Sequence, residues 1–359
     1  EPGPEKIPVV LLYNVDPGWT KDEQDEVVSQ SRLLGDALME EGHTVHLAPL
    51  TNDDIATCLH PFNPSEYIVF NWCEEIPGIG HSEWLAAKKL EDLGFTFTGA
   101  ESKTLALAQD KLQVKRLLDR AGIPTPFWSA FHRDNGVAWH RFPAIVKPAR
   151  EHCSAGITRD AVVLDESELK ERVLYVLDTY RQPALVEDFI DGREFRVSVW
   201  GNENMTMPPV AEMDFSFFPD IKDRLCTQDA KFIPGSEHYE KIETLLPAPL
   251  SAKETSALQK VCRDSYRALG CRDYARMDVR LKDGVFHVLD VNPNADISHD
   301  ASMACAAETA GITYGRMGSL FVRYAAIRHP VFGKNTAAPG FEKLSREDLS
   351  ARGAFMILI

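Results

Sequence analysis

The fold class predicted for this chain is α/β and α+β: a parallel α/β unit at the front, then lobes of antiparallel sheet and helix. Three observations predict it. The opening reads as strand, loop, helix and strand, which is how a parallel sheet begins. A length of 359 residues exceeds what one core ordinarily organises, so two or three subdomains are expected. Downstream, Tyr274–Ser298 reads as two alternating strands around an Asp283-Gly284 turn signal, the mark of an antiparallel hairpin.

The elements follow in order. Ile7–Tyr13 is a short apolar run suited to a buried strand, and Asn14-Val15-Asp16-Pro17-Gly18 leads it into a loop. Asp22–Glu41 repeats Val27, Val28, Leu33, Leu34, Ala37 and Leu38 near a helical period, and Gly42 stops it. Thr44–Leu47 resumes a strand and Tyr67–Trp72 is the next. It runs into a polar, glycine-containing loop at its C-terminal end, where ligand sites of such sheets commonly lie. Glu74, Glu75, His81 and Glu83 are therefore substrate-pocket candidates, with solvated loop residues as the plain alternative. Helices near Ser82–Leu93 and Ser102–Gln109 flank an extended Gly94–Thr98. A further helix, Asp110–Arg120, ends at Gly122 before Ile-Pro-Thr-Pro.

Ala144–Val146 is a short strand ending on Lys147 and broken by Pro148. The small residues His152–Gly156 can fold backbone N–H groups over phosphate oxygens. Ser167–Asp178 reads as a helix, Ala184–Ile190 as an apolar strand carrying Glu187 and Asp188, and Arg193–Trp200 as an alternating strand. Met205–Ala211 is a return strand that Pro208-Pro209 demotes to an edge. Asp214–Leu246 is polar and irregular, with Lys231 isolated in it. Ser251–Leu269 is a helix with a Ser251/Glu254 capping box and Gly270 as its stop. Helices at Ala301–Ala310 and Gly315–Arg328 follow. Past Pro330 the chain turns loop-like, and its apolar terminal FMILI is expected to dock on the body. The expected division is 1–110, 111–186, 187–335 and a tail 336–359.

Composition narrows the function classes. The content is 44% hydrophobic and 26% charged, as in ordinary soluble proteins. A net charge of −15 argues against nonspecific nucleic-acid or anionic-membrane binding, so any anionic ligand must be held by locally gathered Lys and Arg. No apolar run is long enough for a membrane span, and the opening apolar core is too short for a signal peptide. The seven cysteines lack CxxC spacing and cannot all pair within the chain, which points to a reducing cytoplasm.

On the first strand of the hairpin, Arg276, Asp278 and Arg280 share one face and Ala275, Met277, Val279 and Leu281 the other. On the second, Phe286, Val288, Asp290 and Asn292 are expected to share a face. A three-residue Asp283–Val285 loop sets Asp278 opposite Asp290 and Arg276 opposite Asn292. A two-residue Asp-Gly turn instead puts the two aspartates on opposite faces. Facing carboxylates repel, so the first register makes sense with a cation between them. Asp278, Asp290 and Asn292 offer only oxygen, which suits Mg²⁺ or Mn²⁺. The plain alternative is a two-faced hairpin with polar residues in solvent.

Six motifs in order carry a resemblance: Asp110-Lys111, IVKP with its small-residue loop, LVEDFIDGREF, the lone Lys231, YARMD and LDVN. Together with FTFTGAESKTLALAQDKLQVKRLLDRAGIPTP, they make the chain similar to the ATP-grasp superfamily, within it to the D-alanine–D-alanine ligase-like carboxylate–amine ligases. The likeness runs from about Asn71 to Arg328. It implies an ATP-grasp fold, with an N-terminal parallel α/β (pre-ATP-grasp) domain and two lobes enclosing ATP. It implies an amide-forming ligase that passes the γ-phosphoryl of ATP to a carboxylate and then admits an amine. By position, Lys111 and Lys147 would contact phosphates, helped by Cys153, Ser154 and Gly156. Glu187, Asp188 and Ile190 would form the adenine hinge, largely through backbone groups, and Glu194 would take the ribose. Lys231 would reach the phosphates from the opposite lobe, Asp278, Asp290 and Asn292 would hold Mg²⁺, and Arg276 would stabilise the moving charge. Ser298 and Ser302 fall where an acceptor carboxylate would sit, with Glu74 and His81 as further substrate contacts. Partners are small amino-acid or amine substrates, neither nucleic acid nor membrane, with homodimers common among relatives.

Departures from the family cluster on the substrate side. Its glycine-rich first loop and glutamate give way to YNVDPGWTKDEQDEV, with Gln24 near the glutamate position. A loop serine is Cys153, a tyrosine after the phosphate lysine is Phe232, and Thr-x-Pro-Gly is Pro293-Asn294-Ala295-Asp296. These imply altered amino-acid specificity rather than loss of activity, because the metal and phosphate residues persist. A kinase leaving phosphate on its acceptor, and a nucleotide-binding regulator without turnover, are the rival readings.

Overall fold

The computed structural model describes residues 6–133, 138–152, 154–227, 235–334 and 357–358. Strand β1 (Pro8–Asn14) is buried along nearly its whole length because neighbours cover both its faces. Helix α1 (Lys21–Glu40) starts at a capping box in which Thr20 accepts from Glu23 N–H while Glu23 reaches back. Its core stripe is Ser31, Leu34, Gly35 and Leu38; Leu33, expected on the apolar face, is 44% exposed. Then come β2 (Thr44–Leu50), the short helix α2 (Ile55–Leu59), which sequence periodicity missed, β3 (Ile68–Trp72), α3 (Glu83–Asp92) and β4 (Thr96–Phe97). The four strands form a parallel sheet in the order β2-β1-β3-β4. The chain leaves β1 toward one edge and returns past it toward the other, so a topological switch point lies between β1 and β3.

Helices α4 (Ser102–Ala108) and α5 (Lys111–Arg120) lead into a second, antiparallel sheet in the order β5-β8-β6-β7. It comprises β5 (Trp128–Phe131), β6 (Ala144–Pro148), β7 (Val162–Val163) and β8 (Ala184–Asp188), with helix α6 (Glu166–Tyr180) packed on it. Edge strands β5 and β7 had no alternation to reveal them.

The third sheet holds β9 (Arg193–Trp200), β10 (Thr206–Met207), β11 (Ala211–Asp214), β12 (Glu243–Leu245), and the hairpin β13 (Tyr274–Lys282) and β14 (Val285–Asn292). The return strand expected at Met205–Ala211 is two strands. Pro208-Pro209 interrupts it, since proline offers no N–H to the ladder. The stretch expected to be irregular contains β12 and a short helix, Glu237–Lys241. Helix Ala252–Leu269 starts at the Ser251/Glu254 capping box and ends on Gly270 at φ 72°, as read from sequence. A final strand, β15 (Ile357–Leu358), lies antiparallel to β10, so this part of the tail does dock.

Helices Ser302–Thr309 and Tyr314–Ala326 pack on the N-terminal sheet rather than only with the lobe they follow. Leu320, Phe321 and Val322 share a core with Val9, Leu11, Leu34 and Phe70. Close approach to α1 depends on two glycines. A Cβ on Gly315 would lie 2.5 Å from Ala37 O, and one on Gly318 would lie 3.1 Å from both Leu34 and Leu38. The helices thereby hold Pro293–Asp296, just upstream, against the first sheet's C-terminal edge. Among the described residues no helix is long and apolar enough to cross a membrane. Six of the cysteines are described, and Cys58, Cys73, Cys262, Cys271 and Cys305 are free thiols.

Candidate active site

The hairpin sets the register of the site. Lys282 pairs with Val285, so the loop is the two residues Asp283-Gly284, both at positive φ (51° and 76°). The three-residue loop is thus corrected. The facing aspartates survive because a β-bulge lies between the Asp278 and Val279 pairs, where β14 carries the extra residue Leu289. Below it Val279 pairs with Val288; above it Asp278 pairs with Asp290 and Arg276 with Asn292. The bulge also corrects the face assignment. Phe286 and Val288 are core residues, whereas Leu289, Asp290 and Asn292 line a cleft of about 930 Å³.

Both aspartates already face protein cations. Asp290 Oδ2 accepts from Lys111 Nζ at 2.7 Å. Arg276 donates to both oxygens of Asp278, at 2.9 and 3.2 Å. Lys111 opens α5 directly after Asp110, whose carboxylate caps Leu112 and Gln113 N–H. Burial works against the Lys111 charge, but Asp290 outweighs it and the pKa rises. Burial likewise opposes ionisation of Asp290, and Lys111 overrides it, holding the carboxyl well below its usual range. His152 beside them is pushed down, first by burial and then by Lys111.

Lys147 closes this wall from β6, its Nζ 2.7 Å from Glu187 Oε2. The other Glu187 oxygen meets Lys115, one turn beyond Lys111 on α5, which sequence reasoning overlooked as an ordinary helix residue. Lys115 and Glu187 side chains are each 1% exposed, so this is a buried ion triad with Lys147 at its open end. Burial dominates Lys115 and lowers its pKa; for Glu187 burial opposes the charge but the two lysines win. Lys115 also donates to Thr125 Oγ1 at 2.5 Å, which in turn donates to Val288 O at 2.8 Å. The triad therefore ties α5 to both sheets.

Arg280 organises the neighbouring wall. It is 3% exposed, donates to Glu194 Oε2 and to Ile190 O, both at 2.8 Å, and lies over the Phe189 ring. Arg280 is thus the cross-strand partner of Glu194. Asp188 gives its carboxylate to Arg141, at 2.8 and 2.5 Å, and its N–H to Phe127 O. In the small-residue loop, Ala155 and Ile157 N–H close turns on His152 O and Ser154 O. That leaves Ser154 and Gly156 N–H as the loop donors without a partner among the described residues. Gly156 sits at φ 73°, where a Cβ would meet the Tyr180 hydroxyl at 2.9 Å. Cys153, Lys231 and Phe232 lie outside the described residues.

At the cleft's far end stand Asn14, Glu74, His81, Glu83, Asp296 and Ser302. His81, at φ 57°, is 3.8 Å from Glu151 through Nε2. Glu74 opens on the cleft yet is crowded by protein; burial, then Asp296 and Glu75, push its carboxyl up to about 7. Glu83 is pushed up to about 8 by burial and then Glu74, against a hydrogen bond from Asn294. Asn294 Oδ1 accepts from Ala100 N–H at 2.9 Å, fastening the changed loop to the front of the chain. Ser298 is engaged within its own loop: its N–H and hydroxyl both donate to Asp296 Oδ1, at 2.9 and 2.6 Å, and it is not among the residues lining the cleft. Gln24, in the first turn of α1, donates to Trp19 O just ahead of the helix.

Comparison with known proteins agrees with this architecture. Residues 117–321 match the family model described as D-ala D-ala ligase C-terminus. The chain is 34% identical over 233 residues to a D-alanine–D-alanine ligase of Marinomonas sp. (strain MWYL1), covering 64% of this chain and 68% of that one. It is 32% identical over 289 residues to an uncharacterized protein, y4sG, of Sinorhizobium fredii (strain NBRC 101917 / NGR234), covering 78% and 82%. A solved D-alanine–D-alanine ligase of Bacillus anthracis complexed with ATP superposes with a TM-score of 0.69 at 18% identity, covering 90% of this chain and 98% of that one. The superposition fits the predicted ATP-grasp fold.

Proposed function

The chain belongs to the D-Ala–D-Ala ligase family of ATP-grasp ligases, and from that premise we propose that it joins a carboxylate to an amine through an acylphosphate, with amino-acid specificity altered from the family's. One observation carries the reading. The Asp278–Asp290 and Arg276–Asn292 pairs face a single cleft with Lys111 and Lys147. Phosphoryl transfer is catalysed mainly by positioning and charge neutralisation, which is what such a set supplies.

The residues fit the groups proposed to bind. Asp278, Asp290 and Asn292 form an all-oxygen donor set at facing positions of adjacent strands, suited to Mg²⁺, which would neutralise phosphate charge. Bound ATP would supply the phosphoryl group that activates the carboxylate. Lys111 is held by Asp290, and Lys147 by Glu187, in positions to pass their donors to phosphate oxygens. Arg280 fixes Glu194 for the ribose and the Ile190 carbonyl beside the base. Arg276, released from Asp278 by a cation there, would meet charge growing on the acyl oxygen with its two-pronged fork. The neutral amine then attacks the acyl carbon, the bond to phosphate breaks, and the amine's proton leaves with the phosphate. Ser154 and Gly156 N–H would close over the phosphates and keep water from the acylphosphate. Ser302 and His81 remain substrate-side contacts.

The test is a phosphate-release screen over pairs of amino acids and amines with mass detection of products. An amide plus free phosphate is expected, with D-alanine alone a poor substrate. Phosphate retained on the acceptor would indicate a kinase, and nucleotide binding without release for any pair would refute ligation.

A further inference from the structure

The far end of the cleft lies outside the carboxyl ends of β1 and β3, at the topological switch point where open α/β sheets receive ligands. Two independent features there are unresolved within the protein itself. The first is Asn14, 5% exposed at the end of β1 and lining the cleft. Its Oδ1 accepts from Glu74 N–H at 3.0 Å, which fixes the amide's orientation and leaves Nδ2 as a donor with no partner among the described residues. The second is the carboxylate group around it. Glu74 has no side-chain hydrogen bond among the described residues, Glu83 has only Asn294, and Asp296 has only its own loop through Ser298. Arg276, the cation that feels Asp296, is already bound to Asp278.

Among the described residues, the rest of the cleft supplies no relief. Its described lining carries five basic side chains, Lys111, Lys147, Arg196, Arg276 and Arg280, against eleven acidic ones. A nucleotide neutralised by divalent cations leaves that excess in place. The raised pKa values of Glu74 and Glu83 record the repulsion that remains, behind burial as the larger cause. A ligand that satisfied both features would bring more than one positive charge and an acceptor oxygen.

We propose that one substrate of this ligase is a diamino acid, its ammonium groups held by Glu74, Glu83 and Asp296 and its oxygen by Asn14 Nδ2. The inference rests on the ligase reading and names the substrate class of that site. An ammonium held by the carboxylates is not the nitrogen or carboxyl that reacts, so its charge persists through the reaction.

The experiment measures binding and turnover separately. Calorimetry on the full chain with Mg²⁺ and a non-hydrolysable ATP analogue compares 2,3-diaminopropionate, ornithine and lysine with alanine and serine, each as both enantiomers. At least one diamino acid is expected to bind about 10- to 100-fold more tightly than any neutral amino acid. That advantage should collapse in Glu74→Gln and Asp296→Asn, which remove repulsion and so do not threaten folding. Equal affinities, or an advantage that survives both substitutions, would overturn the proposal. Phosphate release is then read with the same compounds. Turnover without a diamino preference would leave the ligase and remove this inference, whereas preferential binding without turnover would keep the diamino acid as the ligand of this end of the cleft and remove the ligase reading.

Discussion

Replacing Glu187 by glutamine strips the counter-charge from Lys115 in a place that water does not reach. Both side chains are 1% exposed, and Lys147, the third member, is 14% exposed. With an effective dielectric of about 20, unit charges roughly 3 Å apart attract by about 5 kcal/mol. The variant loses that attraction and keeps the repulsion between the two lysines. Lys115, already lowered first by burial, can escape by shedding its proton, which caps the loss. A destabilisation of about 3–5 kcal/mol follows, the usual result of breaking a buried pair from one side. The sign with pH is set by Glu187, whose pKa is lowered because the lysines outweigh burial. Its contribution is complete above the ordinary glutamate pKa of about 4.5 and disappears as pH falls through the lowered value. Urea unfolding at pH 7.5 and pH 4 measures both. A second variant, Lys115→Met with Glu187→Leu, should recover stability to within about 1 kcal/mol, because a buried pair replaced whole by apolar groups is often neutral. It should not recover the KM for ATP, since Lys147 still lacks its anchor. A cost for Glu187→Gln below about 1 kcal/mol, or full recovery of ATP affinity in the double variant, would refute the triad as the device that positions Lys147.

Asp290→Asn removes the partner of Lys111 and a proposed Mg²⁺ ligand together. Phosphate release should fall about 10²- to 10³-fold and need more Mg²⁺; near-normal turnover across a Mg²⁺ titration would move the site off the hairpin. Glu83→Gln should stabilise the ligand-free protein increasingly as pH rises. The Glu83 carboxyl, pushed up to about 8, contributes stability that is full below its unfolded pKa and lost as pH climbs through the folded one. The advantage should grow by about 2–3 kcal/mol between pH 6 and pH 9 in thermal or urea unfolding, and a pH-independent difference would contradict the shift.

The long periodic elements were legible in sequence. The capping box at Ser251 and the stop at Gly270 bounded their helix correctly, and the alternation of Arg276, Asp278 and Arg280 assigned their face. The pairing of Asp278 with Asp290 was legible too, but its cause was not. Val288 and Leu289 are both apolar, so period-two counting cannot show that an extra residue has entered β14. Lys115 was hidden for a different reason: a lysine one turn along an amphipathic helix reads as solvent-facing. Its burial depends on Glu187 arriving from β8, far along the chain. Asn14 and Asn294 are likewise meaningful only because loops distant in sequence meet at the sheet's edge. The helices ending at Ala326 had a local trace, Gly315 and Gly318 on one face, but which surface they would approach was set by α1.

A substrate carboxylate is expected to become an acylphosphate in the cleft between Lys111, Lys147 and Arg276. With a productive carboxylate–amine pair, the carboxylate is labelled with ¹⁸O and the released phosphate is weighed by mass spectrometry. Passage through an acylphosphate transfers one labelled oxygen from the carboxylate to each phosphate and leaves the other in the amide. Unlabelled phosphate, with both labelled oxygens still on the recovered carboxylate, would contradict the claim.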